Sequence, residues 1–142
     1  MSDNVLSTAL DMFVLRVPVE IVVKVVDDVD VATPLVGQRG AFDDELFDAN
    51  GALLGTSSGT FTIRYVRPGD DALMTYYREE ITLADGVVRA EGWADFNDVR
   101  QGRWVFYPAV GVSGRYADLS GFRQWRMTGV RASAEARILL AA

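Results

Sequence analysis

The sequence predicts an all-β fold, an eight-stranded antiparallel up-and-down β-barrel with an internal ligand cavity. Three observations predict it. Short runs rich in Val, Ile, Thr, Phe, Tyr and Trp alternate with Gly, Asp, Asn and Pro clusters. No long run carries a helical period, so there is no strand–helix–strand signature. Eight successive strands with short links are best accommodated by closure, which removes exposed sheet edges.

The elements follow in order. Residues 1–16 mix polar and apolar positions without a clear period and read as an N-terminal arm, its form left open between a short helix, an extra strand and a loose segment. Residues 17–142 read as a single barrel domain, as 142 residues warrant. The strand runs are 17–26, 41–48, 59–66, 72–83, 87–96, 103–110, 121–130 and 133–140. Asp48-Ala49-Asn50-Gly51, Pro68-Gly69-Asp70 and Asp85-Gly86 have the chemistry of tight turns. Pro108 donates no hydrogen bond and is expected at a strand end or bulge. The last run, 133–140, also suits a helix by propensity and is read as a strand. Residues 27–37 form one long connection, of the kind that often serves as a lid. Its acidic residues Asp27, Asp28 and Asp30 lack the spacing of a calcium loop and read as a solvated lid. Asp43, Asp44 and Glu45 read as a strand-edge charge group.

Alternation of period two sorts the side chains. Val88, Ala90, Gly92, Ala94 and Phe96 share one face, a small inward face that leaves room for a ligand. Phe61, Ile63 and Tyr65 share another. Leu73, Thr75, Tyr77, Glu79 and Ile81 lie together. Val105 and Tyr107 oppose Trp104 and Phe106. Arg123, Trp125 and Met127 share a face, so a charge points at an apolar interior. Glu20 falls opposite Val17, Val19, Ile21 and Val23, and is a candidate partner for Arg123. Outward Trp104 and Phe106 predict a homo-oligomer.

Composition narrows the chemistry. The chain has no Cys and no His. Disulfides, thiol nucleophiles, thiolate metal sites and histidine-based catalysis are thereby removed. The formal charge of −6 repels nucleic acid and anionic membrane surfaces. No secretory signal and no apolar run of about 18 residues is seen, so a soluble cytoplasmic protein is expected.

Seven segments carry a resemblance: EIVVKVVDDVDVATP from Glu20, FDDELFD from Phe42, GTSSG from Gly55, TYYRE from Thr75, AEGWADFNDVR from Ala90, WVFYPAVGVSGRY from Trp104 and GFRQWRMTGVR from Gly121. With them the chain resembles the spirotetronate cyclases, natural Diels–Alderases of abyssomicin-type polyketide pathways. More distantly it is similar to the allene oxide cyclase and dirigent barrels. The resemblance implies a homodimer of barrels, each with a cavity open at one end and a lid after the first strand. It implies a linear polyene tetronate as substrate, an intramolecular [4+2] cycloaddition, and no cofactor or metal. Its pocket positions map onto Phe42, Tyr77, Phe96, Tyr107, Trp125 and Met127, and its salt bridge onto Glu20 and Arg123. Tyr77 and Trp125 are the expected catalytic pair: Tyr77 would hydrogen-bond a tetronate carbonyl, and Trp125 would shape the folded chain.

Such a reaction needs no base or nucleophile, so a chain without His or Cys can perform it. Two further readings use the same pocket. One is a non-catalytic barrel that carries a hydrophobic ligand. The other is an allene-oxide-cyclase-like enzyme, for which only Arg123, Lys24 and Tyr77 offer polar contacts. A purely structural barrel is disfavoured by the small inward face.

Overall fold

The computed structural model describes residues 12–142. Its strands are β1 (Met12–Asp27), β2 (Arg39–Phe47), β3 (Leu53–Val66), β4 (Leu73–Leu83), β5 (Gly86–Asp95), β6 (Val105–Gly114), β7 (Ser120–Gly129) and β8 (Ser133–Ala141). A short helix, α1 (Phe96–Arg100), separates β5 from β6. Each strand pairs antiparallel with the next, and β8 closes on β1. The expected eight-stranded up-and-down barrel is therefore the observed one, and the ambiguous last run is a strand. At one end, called upper here, lie the loop 28–38, the turn 67–72, α1 and the turn 130–132.

The differences from expectation have local causes. β1 begins at Met12, so residues 12–16 are strand rather than arm, paired with β8 from Ala141 to Arg137. The rest of the expected arm lies outside the described residues. β3 begins at Leu53, well before the β-rich stretch, because β2 and β4 flank its Gly and Ser residues on both sides; pairing overrides weak propensity. Phe96 leaves β5 and opens α1, because the Asp95 carboxylate caps the helix by accepting from Asn97 N at 2.9 Å.

Three bulges change which faces point inward. Between Val17 and Glu20, β1 gains one residue relative to β8, at Pro18–Val19. Val17 and Glu20 therefore both enter the interior, whereas strict alternation separates them. A second slip against β2, between Val22 and Lys24, leaves Val22 inside and Lys24 outside. Val19, Ile21 and Val23 consequently face outward. A third, between Ile63 and Tyr65, turns Tyr65 out against Trp93. Pro108 lies within β6 rather than at its end. The β5–β6 ladder stops beside it, at Ala90 opposite Ala109, where a residue without an N–H is tolerated.

The lower half of the barrel is a filled core. Val17, Leu46, Ile81, Val88, Ala90, Ala109, Ile138 and Leu140 are all buried and pack in one cluster. At Gly121 the strands β7 and β8 approach so closely that a Cβ would stand 1.9 Å from the Leu139 carbonyl oxygen. Gly121→Ala is expected to lower stability by about 1–3 kcal/mol through forced backbone movement. A urea titration checks this, and an unchanged midpoint refutes the crowding.

Candidate active site

A layer of charge crosses the barrel above that core. Arg123 on β7 is 1% exposed. Its Nη2 donates to both carboxylate oxygens of Glu20 at 2.9 Å, reaching across to β1. Its Nε and Nη2 donate to Glu79 on β4 at 3.1 Å. Ser57 Oγ donates to Glu79 at 2.6 Å, and the Tyr107 hydroxyl donates to its other oxygen. Trp125 Nε1 in turn donates to the Tyr107 hydroxyl at 2.9 Å. The expected Glu20–Arg123 pair is thus present, and a second carboxylate shares the guanidinium.

These contacts fix the protonation states. Burial raises the Glu79 carboxyl, but the Arg123 charge and three hydrogen-bond donors outweigh it and hold it below the usual range. Burial works against the charged form of Arg123, and Glu20 and Glu79 override it, so the guanidinium stays ionised. Asp44 makes no ion pair with Arg123. Burial pushes its carboxyl up to about 9, with the hydrogen bond and negative charge of Glu20 adding to the effect. Asp44 is therefore an interior acid and not the surface charge its neighbours Asp43 and Glu45 suggest.

Above the layer a pocket encloses about 760 Å³, including the part open to solvent. Phe42, Tyr77, Phe96, Tyr107, Trp125 and Met127 all line it, as do Glu20 and Arg123. Every expected site residue is thereby brought to one cavity. Tyr77 is the hub of the aromatic wall. It stacks on Tyr107 at 5.7 Å and on Phe61 at 5.5 Å, and meets Trp125 edge-on at 5.4 Å. Phe61 also stacks on Phe96 at 6.2 Å.

The two tyrosines differ in what their hydroxyls do. Tyr107 donates to Glu79 and accepts from Trp125, so it locks the wall to the charged floor. The causes that raise the Tyr77 pKa are burial and the Glu79 charge, with no hydrogen bond among them. Its phenol therefore stays protonated, outside the hydrogen-bond chain that Tyr107 joins.

The long connection contributes to the pocket wall. Val29 and Val31 turn into the pocket, beside Val99 of α1. Arg131, at the β7–β8 turn, holds the Asp27 carboxylate at 2.7 and 3.0 Å and also donates to the Val29 carbonyl. Asp28 and Asp30 accept backbone N–H groups of Arg39 and Ala32. The acidic residues thus shape the loop, and among the described residues no cluster fit for a metal exists.

Sequence reasoning missed Phe61, Glu79, Ser57 and Asp44 as site residues. Glu79 was legible as a charge sharing the face of Tyr77 and Ile81. The small face of β5 has a different role from the one expected. Ala90, Gly92 and Ala94 are not among the pocket's lining residues. Gly92 makes room for Tyr107, whose Cβ would lie 2.7 Å from an added methyl.

Fold and site define a small closed barrel with a largely apolar pocket over a polar floor. The chain belongs to the allene oxide cyclase barrel like domain family, which residues 19–140 match. Among solved structures it is similar to AbnU, described as an exo-specific intermolecular Diels-Alderase. The two share 45% identity over 91% of this chain and 97% of that one, with a TM-score of 0.84. It is also similar to a nonspecific heme-binding cyclase described as catalysing [4 + 2] cycloaddition during neoabyssomicin biosynthesis. That match has 27% identity over 98% of this chain and 70% of that one, with a TM-score of 0.84. The Diels Alderase AbmU from Streptomyces koyangensis matches at 28% identity over 97% of this chain and 72% of that one, with a TM-score of 0.82. No curated protein matches the chain. No helix among the described residues is long and apolar enough to cross a membrane.

The buried acid makes stability depend on pH. Asp44 has its ordinary pKa of 3.8 raised to about 9 on folding, so the folded state binds a proton the unfolded chain does not hold between those values. Its contribution is complete below the lower value and is lost progressively as pH rises through the window. Asp44→Asn removes this dependence. The variant is expected to gain on the order of 1–3 kcal/mol over the parent at pH 8 and almost nothing at pH 4. Paired urea titrations read the difference, and an equal offset at both pH values contradicts the assignment.

Proposed function

We propose that the protein is a spirotetronate cyclase that catalyses an intramolecular [4+2] cycloaddition of a linear polyene tetronate, without a cofactor. The observation that carries the reading is the Tyr77 hub: a free, neutral phenol set in a wall of rings over a fixed polar floor. A Diels–Alder step makes two carbon–carbon bonds in concert and needs no proton removed. The protein has only to hold diene and dienophile in a reactive fold. Positioning of this kind can supply roughly 7–11 kcal/mol. Phe42, Phe96, Trp125 and Met127 bound the folded chain, while Tyr107 keeps Trp125 in place. A Tyr77 hydrogen bond to the ring carbonyl draws electron density from the conjugated alkene. If it strengthens in the transition state it contributes on the order of 1–3 kcal/mol.

The similarity to AbnU, described as intermolecular, favours a second reading in which diene and dienophile are separate molecules. A time course with a synthetic linear tetronate carrying a terminal diene separates the readings. Loss of diene absorbance is followed against a protein-free control, and the product isomers are resolved. Acceleration with one dominant isomer is expected. Reaction only when diene and dienophile are supplied as two molecules selects the second reading. Binding without acceleration or selectivity leaves a carrier barrel.

Trp125→Ala and Phe96→Ala are expected to lower kcat or isomer ratio by about tenfold while the fold persists. Tyr77→Phe is expected to retain activity within about tenfold to a hundredfold of the parent, the range of one hydrogen bond. Unchanged kinetics and product ratio in both alanine variants would falsify the pocket assignment.

We also propose a homodimer. Phe106 is 62% and Phe122 46% exposed, and they form an edge-to-face pair at 5.8 Å on the outer wall of β6 and β7. Trp104 stands on the same wall, with the Arg126 and Arg137 guanidinium groups 5.6 and 4.1 Å from its ring centroid. Such a contiguous aromatic patch fits a second copy of the chain. Analytical ultracentrifugation is expected to give a dimer that Phe106→Glu weakens at least tenfold; a monomeric parent refutes it.

A further inference from the structure

Val29, in the long connection, is held in the pocket by a clamp. Its side chain lines the upper end of the cavity and is 6% exposed. One ion pair takes up both of its backbone polar groups. The Asp27 carboxylate accepts the Val29 N–H at 2.9 Å, and Arg131 Nη2 donates to the Val29 carbonyl. The same guanidinium holds the two Asp27 oxygens at 2.7 and 3.0 Å. Val31 also lines the pocket, but its carbonyl is reached by Arg100 at 3.5 Å, the outer limit of a hydrogen bond.

The clamp has a built seat. Gly40 leaves room for Asp27, because a Cβ at that glycine would stand 2.6 Å from the Asp27 Cβ. The Asp27 side chain is only 7% exposed. Hydrogen bonding to Arg131 holds its carboxyl below the usual range, so the pair is charged at neutral pH. Arg131 reaches it from the turn 130–132, 104 positions away, and does so at a φ of 52°. The other non-glycine residues with positive φ among the described residues are Asp71 and Asp118. Aspartate tolerates that conformation better than arginine does. Gly or Asn would serve the turn alone, whereas reaching Asp27 and Val29 together needs the long guanidinium side chain. A residue kept in an unfavourable conformation beside a site points to a role there.

The lower half of the barrel is filled, so a ligand enters from the upper end, and the part of it nearest that end lies against Val29. We propose that Val29 is a specificity-determining residue that limits the width of the ligand there, and that Arg131 and Asp27 are its positioning residues. A narrow, unbranched chain end fits beneath it. A bulky end is rejected, because Val29 gives way only if the hydrogen bonds of the clamp break. The identity of the ligand as a tetronate chain rests on the cycloaddition reading; the limit on width does not require turnover.

The test is calorimetry on the intact protein with two saturated tetronates of equal chain length, one ending in methyl and one in tert-butyl. Neither can cyclise. The parent is expected to bind the methyl-ended probe at least about tenfold tighter. Val29→Ala leaves the clamp whole and is expected to reduce the preference to about threefold or less. Arg131→Asn suits the positive φ but is too short to reach Asp27. It is expected to reduce the preference equally, and to speed hydrogen exchange of the Val29 amide at least about tenfold. Arg131→Lys is expected to restore part of the preference, since an ammonium lacks the two-pronged fit to the carboxylate. The double variant Val29→Ala with Arg131→Asn is expected to show no further loss, because both act through one side chain. A merely structural role for Arg131 would weaken both probes alike and leave their ratio unchanged. Binding of both probes equally by the parent, or of neither, overturns the proposal, as does a preference that survives Arg131→Asn or Val29→Ala. A preference lost in those variants, with no turnover of the diene-bearing tetronate by the parent, keeps the width limit and removes the cyclase reading. Equal binding with turnover does the reverse.

Discussion

The bridge that Arg123 makes between Glu20 and Glu79 is the constraint from which the rest of the interior follows. A guanidinium in a barrel interior is tolerable only while both carboxylates are held against it. Breaking one contact would cost about 3–5 kcal/mol, a large part of the stability of a domain this size. The bridge links β1, β4 and β7, so it spans the barrel rather than one sheet edge. Below it the interior is packed with aliphatic side chains. Above it the same wall opens into a pocket. The position of the floor is therefore set by electrostatics, and the depth of the pocket follows.

The floor also orders the chemistry above it. Glu79 takes the Tyr107 proton into a hydrogen bond, Tyr107 takes the Trp125 N–H, and Trp125 is thereby oriented. Tyr77 stacks within this assembly without joining the hydrogen-bond chain. A rigid aromatic wall with one uncommitted phenol results. This division of labour suits a reaction controlled by the shape of the bound chain, because the wall is held by contacts that a ligand does not need to make. The glycine at position 92 belongs to the same design, since its missing side chain lets Tyr107 seat against β5.

Much of this was legible in the amino-acid order. Alternation placed Tyr77, Tyr107, Trp125 and Met127 inside, and it placed Arg123 among them. Phe42 followed only from the family resemblance, since its run carries Asp43, Asp44 and Glu45 in succession and the inward parity is masked. Glu79 was visible on an inward face, but nothing local paired it with Arg123, 44 positions away. Asp44 read as a surface charge because its neighbours are surface charges. The need for a counter-charge points to Glu20 as the partner of Arg123, although strict alternation sets it opposite Val17.

The sequence by itself determined the strand identities, the closed all-β architecture and the set of aromatic residues facing inward, because these depend on propensity and a period of two that neighbouring residues establish. Only the tertiary structure decided the bulges at Pro18–Val19, Val23 and Arg64, the second carboxylate on Arg123 and the protonated state of Asp44. A single inserted residue reverses every later face of a strand. The charge pairing likewise depends on distances across the barrel, between side chains as far as 103 positions apart in the chain.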